Sequence, residues 1–458
     1  MILTCAGAAR TVTGSCHHLA TGRANILVDC GLFQGGSALR ARNHEPFPFD
    51  PAELDAVLVT HGHLDHVGRL PLLLKHGYRG RLYGTKGTVE IAAIILRDSA
   101  KIQEEDYARE LRRAERAGRA HEVEQPLYTS EEAERTIKRF NEVKFAEPFD
   151  AAEDITVTFK PAGHILGSAY LEVDVEGTRM VFSGDLGNGG SNLHDPAQPP
   201  AECDVMLLET TYADRRHRSR EETEAEFQEV VKSALQAGGN VMIPTFAVER
   251  AQQILYELYR AVGQGRIPRL PVYVDSPMAT RVTKQYQEGI DELRDEVAEV
   301  FAKGGDPFDV PGLEYTVTAE QSKKINDIEG GAIIIAGSGM MTGGRILHHL
   351  KHNLWRENAS LVIVGYQAEG TLGRTLVNGA KRVRIYGSEI AVRADIHTIN
   401  GFSAHADKDD LLAFMRPSKP AKLVLVHGEE DVMTGFAGEL RKEGRTVVCP
   451  ELDVPFEL

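Results

Sequence analysis

The sequence predicts an α/β protein built from two domains. At 458 residues, the chain is longer than one ordinary domain and long enough for two sizeable cores. Its first part, and again its last sixty residues or so, read as short apolar strands joined by glycine-containing turns. From Asp204 to Val364, apolar strands alternate with helical stretches, which is the pattern of a parallel sheet flanked by helices.

The charge of the chain is unevenly distributed. A formal net charge of −15 argues against a protein that coats nucleic acid nonspecifically. Between Gly330 and Ser388, however, seven Lys or Arg residues stand against two acidic residues, Glu357 and Glu369. We interpret this segment as a locally cationic surface, with an ordinary solvated face as the alternative.

Neither a leader nor a membrane-spanning segment is predicted. No N-terminal stretch pairs a basic region with an apolar one, and the longest apolar runs, such as 332–336, are too short to span a bilayer. The five cysteines are scattered and form no C-x-x-C pair, so neither a disulfide framework nor a zinc finger is indicated. We therefore expect a cytoplasmic protein that has no membrane partner.

The most informative stretch is the turn at residues 61–66, which reads His-Gly-His-Leu-Asp-His. It follows a short apolar run, predicted to be a buried strand, and precedes a predicted helix. His61 and His63 can point the same way from extended backbone, while Asp65 and His66 can face a second point. Four such polar groups beside a core are costly to leave unpaired. A pair of divalent metal ions satisfies them, and the alternative is a turn that is histidine-rich by chance.

Further residues complete the predicted metal site. His164 and Asp185 stand at the ends of apolar strands on glycine-flanked turns, and His427 repeats this placement near the end of the chain. The predicted ligands are therefore His61, His63 and His164 for one metal, Asp65, His66 and His427 for the other, and Asp185 between the two. Asp29 also ends an apolar strand, where it orients a metal ligand or serves as an ordinary turn carboxylate. Zinc is the expected metal, with manganese as the alternative.

The loop at residues 336–345, which reads Ala-Gly-Ser-Gly-Met-Met-Thr-Gly-Gly-Arg, joins a predicted strand to a predicted helix. Such a loop directs backbone N–H groups and the helix dipole toward one spot, which favours an anion. It lacks the P-loop spacing, so a nucleotide triphosphate site is not indicated. A tight turn that needs several glycines is the alternative. The residues predicted to bind phosphate are Ser338, Gly339, Thr342, Gly343, Arg345 and Arg374.

Together, these residues resemble the motif series of a known family. Asp29, the H-x-H-x-D-H pattern at 61–66, His164 and Asp185 are similar to the motifs of the metallo-β-lactamase superfamily. Three further stretches resemble the additional motifs of its β-CASP branch. They are Leu-Glu-Thr-Thr-Tyr, which contains Glu209, Phe-Ser-Ala-His, which ends at His405, and Val-His-Gly-Glu, which contains His427. That branch includes ribonuclease J and the pre-mRNA 3′-end processing endonuclease.

The resemblance implies a particular fold. We expect an αββα metallo-β-lactamase sandwich formed by residues 1–208 and 391–458, interrupted by a parallel-sheet α/β β-CASP domain at residues 209–390. Because the chain begins with its first strand and ends soon after His427, it resembles the compact bacterial form of the family.

The implied activity is metal-dependent hydrolysis of phosphodiester bonds in single-stranded RNA. The enzyme is expected to be an endonuclease, and whether it also acts as a 5′–3′ exonuclease stays open. The expected nucleophile is a hydroxide held by two metals, and two carboxylates plus this hydroxide leave the centre at about +1, which attracts a phosphodiester. The implied catalytic residues are Asp65, His405 as the general acid and Glu209, which is expected to orient a histidine. His397 is the second candidate for the acid.

Three alternatives stay open at this stage. A small-molecule hydrolase on the same fold would leave the inserted domain and its cationic segment unexplained. A non-catalytic RNA-binding scaffold subunit would be expected to lack ligands, whereas every ligand position is filled. A DNA nuclease is the third, because nothing in the sequence reads the 2′-hydroxyl. The sequence also leaves open whether the protein is a homodimer.

Overall fold

The structure is a computed structural model that describes residues 1–368 and 370–458. The chain forms two compact units. Unit 1 comprises Met1–Gly189, Pro196–Arg216 and His405–Leu458, and unit 2 comprises Gly190–Asp195 and His217–Ala404. Glu369, one of the two acidic residues of the cationic segment, lies outside the described residues.

The secondary-structure elements are numbered in chain order. The strands are β1 (Ile2–Cys5), β2 (His17–Ala20), β3 (Asn25–Val28), β4 (Ala56–Leu58), β5 (Arg81–Thr85), β6 (Phe140–Val143), β7 (Phe149–Ala152), β8 (Ile155–Pro161), β9 (Ala169–Val175), β10 (Thr178–Phe182), β11 (Val205–Glu209), β12 (Val241–Pro244), β13 (Val272–Asp275), β14 (Leu313–Tyr315), β15 (Ile333–Ala336), β16 (Ser360–Ile363), β17 (Arg382–Ile385), β18 (Ser388–Ala391), β19 (Asp395–Thr398), β20 (Lys422–Val426), β21 (Val447–Val448) and β22 (Pro455–Glu457).

The α-helices are α1 (Ser37–Ala41), α2 (Leu64–Val67), α3 (Leu70–Lys75), α4 (Lys86–Arg116), α5 (Ser130–Ile137), α6 (Arg220–Gln236), α7 (Arg250–Gly263), α8 (Pro277–Glu288), α9 (Asp295–Ala302), α10 (Ala319–Ile325), α11 (Ile346–Asn353), α12 (Leu372–Val377), α13 (Lys408–Met415) and α14 (Glu430–Lys442). Short 3₁₀ helices occur at Arg42–His44, Pro51–Glu53, Ala120–Glu122, Ile290–Glu292 and Arg416–Ser418.

Unit 1 contains two seven-stranded sheets. The strand order is β22-β1-β2-β3-β4-β5-β6 in the first sheet and β21-β20-β11-β10-β9-β8-β7 in the second. The first and last strands of the chain pair antiparallel, with Ile2 opposite Glu457. In the second sheet, β11 runs parallel to β20, with Glu209 opposite Val426. Both ends of the chain therefore build the same unit.

The core of unit 1 lies between the two sheets, and strand periodicity places residues there. Along β8, Ile155, Val157 and Phe159 are buried, whereas Thr156 and Thr158 between them are only partly covered. They pack in one cluster with Leu3 and other residues of the first sheet. Full burial of one such large apolar side chain contributes roughly 1.5–3 kcal/mol. The apolar residues at every second position of β8 therefore form the face that packs against the first sheet.

Helices cover the outer faces of both sheets. On the second sheet, Met206 and Leu425 pack with Phe414 of α13 and Phe436 of α14. The long helix α4 lies along β5 and β6 of the first sheet, and its first half is buried. Helix, sheet, sheet and helix layers give the αββα sandwich that the resemblance implied, and this part of the predicted fold class is confirmed.

Unit 2 contains a six-stranded sheet of order β14-β13-β15-β12-β16-β19, in which every pair is parallel. Met242, Leu361 and Ile363 of its strands pack with Ile346 and Leu350 of α11. The predicted parallel α/β domain is therefore confirmed as a fold. The predicted domain limits after residues 208 and 390 stay predictions. The compact units divide the chain after residues 216 and 404. The second of these limits lies beyond β19, because β19 pairs with β16 of unit 2.

Local sequence signals explain several helix boundaries. Thr129 and Ser219 form the N-caps of α5 and α6. In the sequence, each precedes a glutamate by three residues, which predicts a capping box, and both boxes form in the structure. A helix was predicted to follow the histidine turn, but α2 already starts at Leu64, within the turn itself. The charged sequence from residue 87 to 145 has helical spacing, so strand β6, which lies within it, was not predicted. Among the described residues, none of the helices combines the length and the apolar character needed to span a bilayer.

Candidate metal centre

The histidine turn is positioned by its neighbours in the chain. His63 is the N-cap residue of α2, so Asp65 and His66 lie in the first turn of that helix. The Ser15 backbone N–H donates to the carbonyl of Asp65 at 2.8 Å. The backbone of Gly31 packs so closely here that a Cβ would lie 1.5 Å from the same carbonyl oxygen, which explains the glycine.

Four side chains converge on a first cluster, defined as His61, His63, His164 and Asp185. The Nδ1 atom of His63 lies 3.1 Å from Nε2 of His61 and 3.2 Å from Nε2 of His164. The Oδ2 atom of Asp185 lies 3.5 Å and 3.6 Å from the same two Nε2 atoms. Residues more than a hundred positions apart thus direct ligand-type atoms to one point.

The spacing of the first cluster fits a tetrahedral metal ion. Zinc binds imidazole nitrogen at about 2.0–2.1 Å, so tetrahedral ligand atoms are about 3.4 Å apart. Three ring nitrogens and a carboxylate oxygen at these separations cannot all be satisfied by hydrogen bonds among themselves, because each neutral imidazole carries a single N–H. The donor set therefore fits a metal on its chemistry and its spacing.

A second cluster consists of Asp65, His66 and His427, with Asp185 beside it. The Oδ2 atom of Asp65 lies 3.6 Å from Nε2 of His427. The Oδ1 atom of Asp185 lies 3.3 Å from Nε2 of His66 and 3.4 Å from Nδ1 of His427. Within each of the two clusters, the ligand atoms all lie within 4.8 Å of one another. Asp185 contributes one oxygen to each side.

Two buried atoms of this centre make no hydrogen bond of normal geometry. They are Oδ1 of Asp185, whose side chain is 2 % exposed, and Nε2 of His427. A buried polar atom without a partner costs about 1–3 kcal/mol, so natural proteins rarely keep one without a reason. His427 also adopts a left-handed backbone conformation, with φ of 49°. Both observations fit a centre whose two clusters would each bind a metal ion.

The protonation states of His61, His63 and Asp185 suit metal binding. Burial lowers the pKa of His61 well below its usual value and that of His63 to about 4, so both are neutral at pH 7. Burial alone would raise the pKa of Asp185, but His427, His66 and His61 hold it well below its usual range. Neutral imidazole and ionised carboxylate are the forms that bind divalent metals.

Asp29 lies behind the second cluster. Its Oδ2 atom accepts a hydrogen bond from Nδ1 of His66 at 2.8 Å, which leaves Nε2 of that ring to face Asp185. The Thr60 backbone N–H and hydroxyl both donate to the Asp29 carboxylate at 2.8 Å. The carboxylate thereby fixes the tautomer and the orientation of one ring.

Glu209 and His405 form a pair beside Asp185. Glu209 is fully buried at the end of β11, and its Oε1 lies 3.4 Å from Nδ1 of His405. The same oxygen accepts the backbone N–H of Leu186 at 2.8 Å, next to Asp185 in the chain. Burial alone would lower the pKa of His405, but the carboxylates of Glu209, Asp185 and Asp65 raise it to about 9. His405 is therefore protonated at neutral pH.

Sequence reasoning missed three polar neighbours of the centre. The Ser15 hydroxyl lies 3.3 Å from Nε2 of His66, and the Thr211 hydroxyl lies 3.1 Å from Nδ1 of His427. His17 is buried, and burial together with the neighbouring His66 and His427 lowers its pKa to about 3. Ser15 and His17 line the same small cavity as His66 and Asp185. Thr211 lies in the Leu-Glu-Thr-Thr-Tyr motif around Glu209, whereas Ser15 and His17 belong to no motif identified in the sequence.

The glycine-rich loop, residues 337–344, connects β15 to α11 in unit 2. Part of its predicted anion-binding capacity is used internally. The backbone N–H of Ser338 donates to the carbonyl of Gly343 at 3.3 Å, and that of Thr342 donates to the Ser338 hydroxyl at 3.1 Å. Gly339 is buried against the ring of Phe246. The predicted contact of Gly339 with phosphate stays a prediction.

Arg345 is also turned inward. Its Nη1 donates to Oδ1 of Asp275 at 2.7 Å and to the carbonyl of Thr316 at 3.0 Å, while Nη2 donates to the carbonyl of Val317 at 2.8 Å. These bonds use the guanidinium to hold the loop, and the predicted contact of Arg345 with phosphate stays a prediction. Arg374 lies in α12, with its guanidinium carbon 5.6 Å from the ring centre of Tyr366.

Three family models match the chain. The metallo-β-lactamase superfamily model matches residues 10–233, the β-CASP domain model matches residues 251–376, and the model of a Zn-dependent metallo-hydrolase RNA specificity domain matches residues 389–450. His405 and His427 lie within the last match. Together with the αββα sandwich and the His/Asp clusters, these matches define a metal-dependent hydrolase of the metallo-β-lactamase superfamily.

Curated relatives narrow the assignment. The chain is 44% identical to Ribonuclease TTHA0252 of Thermus thermophilus over 442 residues, which is 96% of each protein. It is 34% identical to Transcription termination factor FttA of Methanocaldococcus jannaschii, over 98% of this chain and 70% of that relative. A protein of unknown function from Enterococcus faecalis V583 has the same fold, with a TM-score of 0.56 at 12% identity over 100% of this chain and 99% of that one. The chain belongs to the β-CASP family, as the sequence motifs predicted.

Proposed function

We propose that this protein is a metal-dependent ribonuclease that hydrolyses phosphodiester bonds within single-stranded RNA. The observation that carries the proposal is the pair of buried His/Asp clusters that meet at Asp185. The choice of RNA is supported by the match to an RNA specificity domain and by the relative from Thermus thermophilus, which is named as a ribonuclease.

The chain supplies two sets of metal ligands. His61, His63, His164 and Asp185 hold one ion, and Asp65, His66, His427 and Asp185 hold the other. When bound, divalent ions supply a water molecule of lowered pKa, about 7 instead of about 15.7, and positive charge against the phosphate. Zinc suits this set of imidazoles and carboxylates, and manganese accepts the same ligand types.

His405 supplies a proton to the leaving oxygen. Hydrolysis leaves an alkoxide on the departing nucleotide, and a protonated imidazole beside the site can neutralise it. The carboxylate of Glu209, which is not among the proposed metal ligands, favours a proton on the His405 ring. Glu209 acts through His405, because its carboxylate sits against Nδ1 and leaves Nε2 as the donor to substrate. We assign His405 as the general acid and Glu209 as a positioning residue.

The backbone of the RNA is bound by unit 2 in this proposal. The proposed phosphate contacts are those predicted from the sequence, namely Ser338, Gly339, Thr342, Gly343, Arg345 and Arg374. Thr342 is exposed and Ser338 is partly exposed. Such contacts give affinity without selecting a base sequence.

We place the protein in the cytoplasm, where its five free cysteines would stay reduced. We also propose that the protein can form a homodimer. Sedimentation of the purified protein tests this by measuring its mass in solution.

End-labelled single-stranded RNA and DNA of the same sequence, incubated with zinc-loaded or manganese-loaded protein, test the proposed function. We expect internal cleavage of the RNA, loss of cleavage on chelation and recovery when the metal is restored. A chromogenic lactam and a thioester serve as parallel substrates. Their turnover by a protein inert to RNA would instead support a small-molecule hydrolase, and cleavage of DNA alone would overturn the choice of substrate.

A further inference from the structure

Exposed aromatic rings are confined to unit 2 among the described residues. In the part of the chain that the structure describes, four aromatic side chains are among the exposed large hydrophobic residues, namely Phe246, Trp355, Tyr366 and Tyr386. Phe246 is 44% exposed and Tyr366 is 51% exposed. Aromatic rings are usually largely buried, because each removes 150–250 Å² of surface from water. Rings left in solvent therefore call for a partner.

Phe246 and Tyr366 lie at the same edge of the parallel sheet. Phe246 follows the carboxyl end of β12, and Tyr366 follows that of β16, the strand next to it. The glycine-rich loop follows β15, which pairs with β12 on its other side. In open parallel α/β sheets, ligands bind outside the carboxyl ends of the strands.

Both rings are attached to the glycine-rich loop. A Cβ on Gly339 would lie 2.8 Å from the ring of Phe246, so this ring packs directly on the loop backbone. Gln367, next to Tyr366, donates from Nε2 to the carbonyl of Gly339 at 3.0 Å and to the carbonyl of Tyr366 itself at 3.0 Å. The loop and the two aromatic residues thus form one connected surface, which we call the aromatic edge.

The charge around the aromatic edge favours an anionic partner. The guanidinium of Arg374 lies 5.6 Å from the ring centre of Tyr366, within the range of a cation–π contact. Arg374 is one of seven basic residues in the segment from Gly330 to Ser388, and it is the one that contacts a ring of this edge. Exposed aromatic faces beside arginine are the combination with which proteins bind unpaired bases of single-stranded nucleic acid.

We propose that Phe246 and Tyr366 stack on unpaired bases of single-stranded RNA at the aromatic edge. This inference rests on the proposed function and adds to it a base-binding subsite, which is distinct from the phosphate contacts of the glycine-rich loop. Stacking engages the flat face that every base has, so the subsite distinguishes unpaired RNA from a duplex without reading a particular sequence.

Trp355 provides a matched control. It is 50% exposed, and the guanidinium carbon of Arg356 lies 5.3 Å from its ring centre, much as Arg374 lies over Tyr366. Trp355 follows the C-terminal end of α11 and precedes the start of β16, so it lies toward the opposite edge of the sheet. Its replacement removes an equally exposed ring outside the aromatic edge.

The test measures the affinity of the metal-loaded protein for a short phosphorothioate RNA, carrying a fluorescent label, by anisotropy. We expect Phe246→Ala and Tyr366→Ala each to raise the Kd by about 5-fold or more, since a stacked base contributes about 1–3 kcal/mol. Trp355→Ala should leave the Kd unchanged, and Tyr366→Phe, which keeps the ring, should bind like the wild type. An RNA with abasic sites should bind the wild type and the alanine variants equally.

Two results would overturn the inference while leaving the ribonuclease proposal intact. One is cleavage of RNA by a protein whose Kd does not respond to loss of either ring. The other is a change in the sedimentation mass of Phe246→Ala or Tyr366→Ala with unaltered RNA affinity, which would make the edge a protein interface. A wild-type protein that neither binds nor cleaves RNA would overturn both proposals. Melting temperatures of the variants within the error of the wild type ensure that a raised Kd reports the lost ring.

Discussion

Asp185 is the residue on which the centre depends. One of its oxygens faces His61 and His164, and the other faces His66 and His427. Oδ1 has no hydrogen bond of normal geometry although it is buried. A carboxylate in this position can be shared by two ions, and its loss removes a ligand from each.

We predict that Asp185→Asn lowers the metal content from two equivalents to one or fewer, because an amide carries no charge and offers a single acceptor oxygen. Elemental analysis of protein purified without added metal measures the change. Asp174→Asn, at an exposed position of β9, is the control and should keep the wild-type content. Two equivalents retained by Asp185→Asn would contradict the shared-ligand assignment.

His405 differs from His61 and His66, because its side chain is 22% exposed whereas theirs are 0% and 2% exposed. We predict that His405→Ala keeps its metal and its affinity for RNA but loses about 10²- to 10⁴-fold in the cleavage rate, the usual contribution of a general acid. Single-turnover cleavage at saturating enzyme measures this loss.

His397→Ala is the matched control for that measurement, since His397 lies on β19 of unit 2 and was the second candidate for the acid. It should cleave at the wild-type rate. Unchanged cleavage by His405→Ala, or an equal loss in both variants, would remove the assigned role.

At the scale of elements, Asp275 joins one strand to two helices. It ends β13 and is fully buried, and it accepts hydrogen bonds from Ser322 of α10 at 2.6 Å and from His349 of α11 at 2.7 Å. It also accepts from Arg345 at the start of α11. Burial alone would raise the pKa of Asp275, but these donors hold it well below its usual range. The carboxylate thereby fixes the end of the glycine-rich loop.

We predict that Asp275→Asn lowers the free energy of unfolding by about 3 kcal/mol, because the charge of Arg345 loses its partner. Urea denaturation measures the difference. The exposed Asp309→Asn serves as the control and should unfold within about 0.5 kcal/mol of the wild type. A midpoint for Asp275→Asn that matches the control would show that the ion pair adds nothing to stability.

Helix α7 contains a carboxyl group that titrates near neutrality. Burial, together with the charge of Glu224, raises the pKa of Glu257 to about 7. Between about pH 4.3 and 7 the folded chain therefore holds a proton that the unfolded chain releases, so stability falls as the pH rises through this range. The side chain accepts from Asn192 at 2.6 Å, a bond that a glutamine oxygen can replace.

We predict that Glu257→Gln reduces this dependence, so that its melting temperature falls less between pH 5 and 8 than that of the wild type. Differential scanning calorimetry across that range makes the comparison. Glu229→Gln, at an exposed position of α6, should retain the wild-type slope. An identical slope in Glu257→Gln would mean that this carboxyl group does not hold the proton.

At the scale of the whole molecule, the metal centre connects parts of the chain that are distant in sequence. Its residues come from the turn at 61–66, from His164 and Asp185, and from His427 near the C-terminal end. An ion that binds only the folded arrangement stabilises it by mass action. Metal binding should therefore contribute to the stability of unit 1 as well as to catalysis.

We predict that chelation lowers the melting temperature of the wild type and that zinc restores it, because the ligands are brought together only by folding. Calorimetry with and without chelator measures the shift. Asp185→Asn should respond less, since it holds less metal at the outset. A wild-type melting temperature that stays the same after complete metal removal would contradict the link between binding and folding.

Much of the fold was predictable because its signals are local. Alternating apolar residues gave β8 and β9, and the capping boxes at Thr129 and Ser219 gave two helix starts. The edge strands were less predictable. β22 is mostly exposed and short, and its place beside β1 depends on a partner at the other end of the chain. Pairing over such a distance leaves no local signal.

The sequence by itself determined the chemistry of this protein, because ligand-type side chains in the order His-x-His-x-Asp-His, with His164, Asp185 and His427, suit a metal wherever they meet. Only the tertiary structure decided which atoms meet and which residues are unavailable. It brought His63 within 3.2 Å of His164, a hundred and one residues away. It also turned Arg345 away from solvent toward Asp275, seventy residues earlier in the chain. A guanidinium next to a glycine-rich loop can face a phosphate or a buried carboxylate equally well, and the choice depends on long-range packing that no local pattern records.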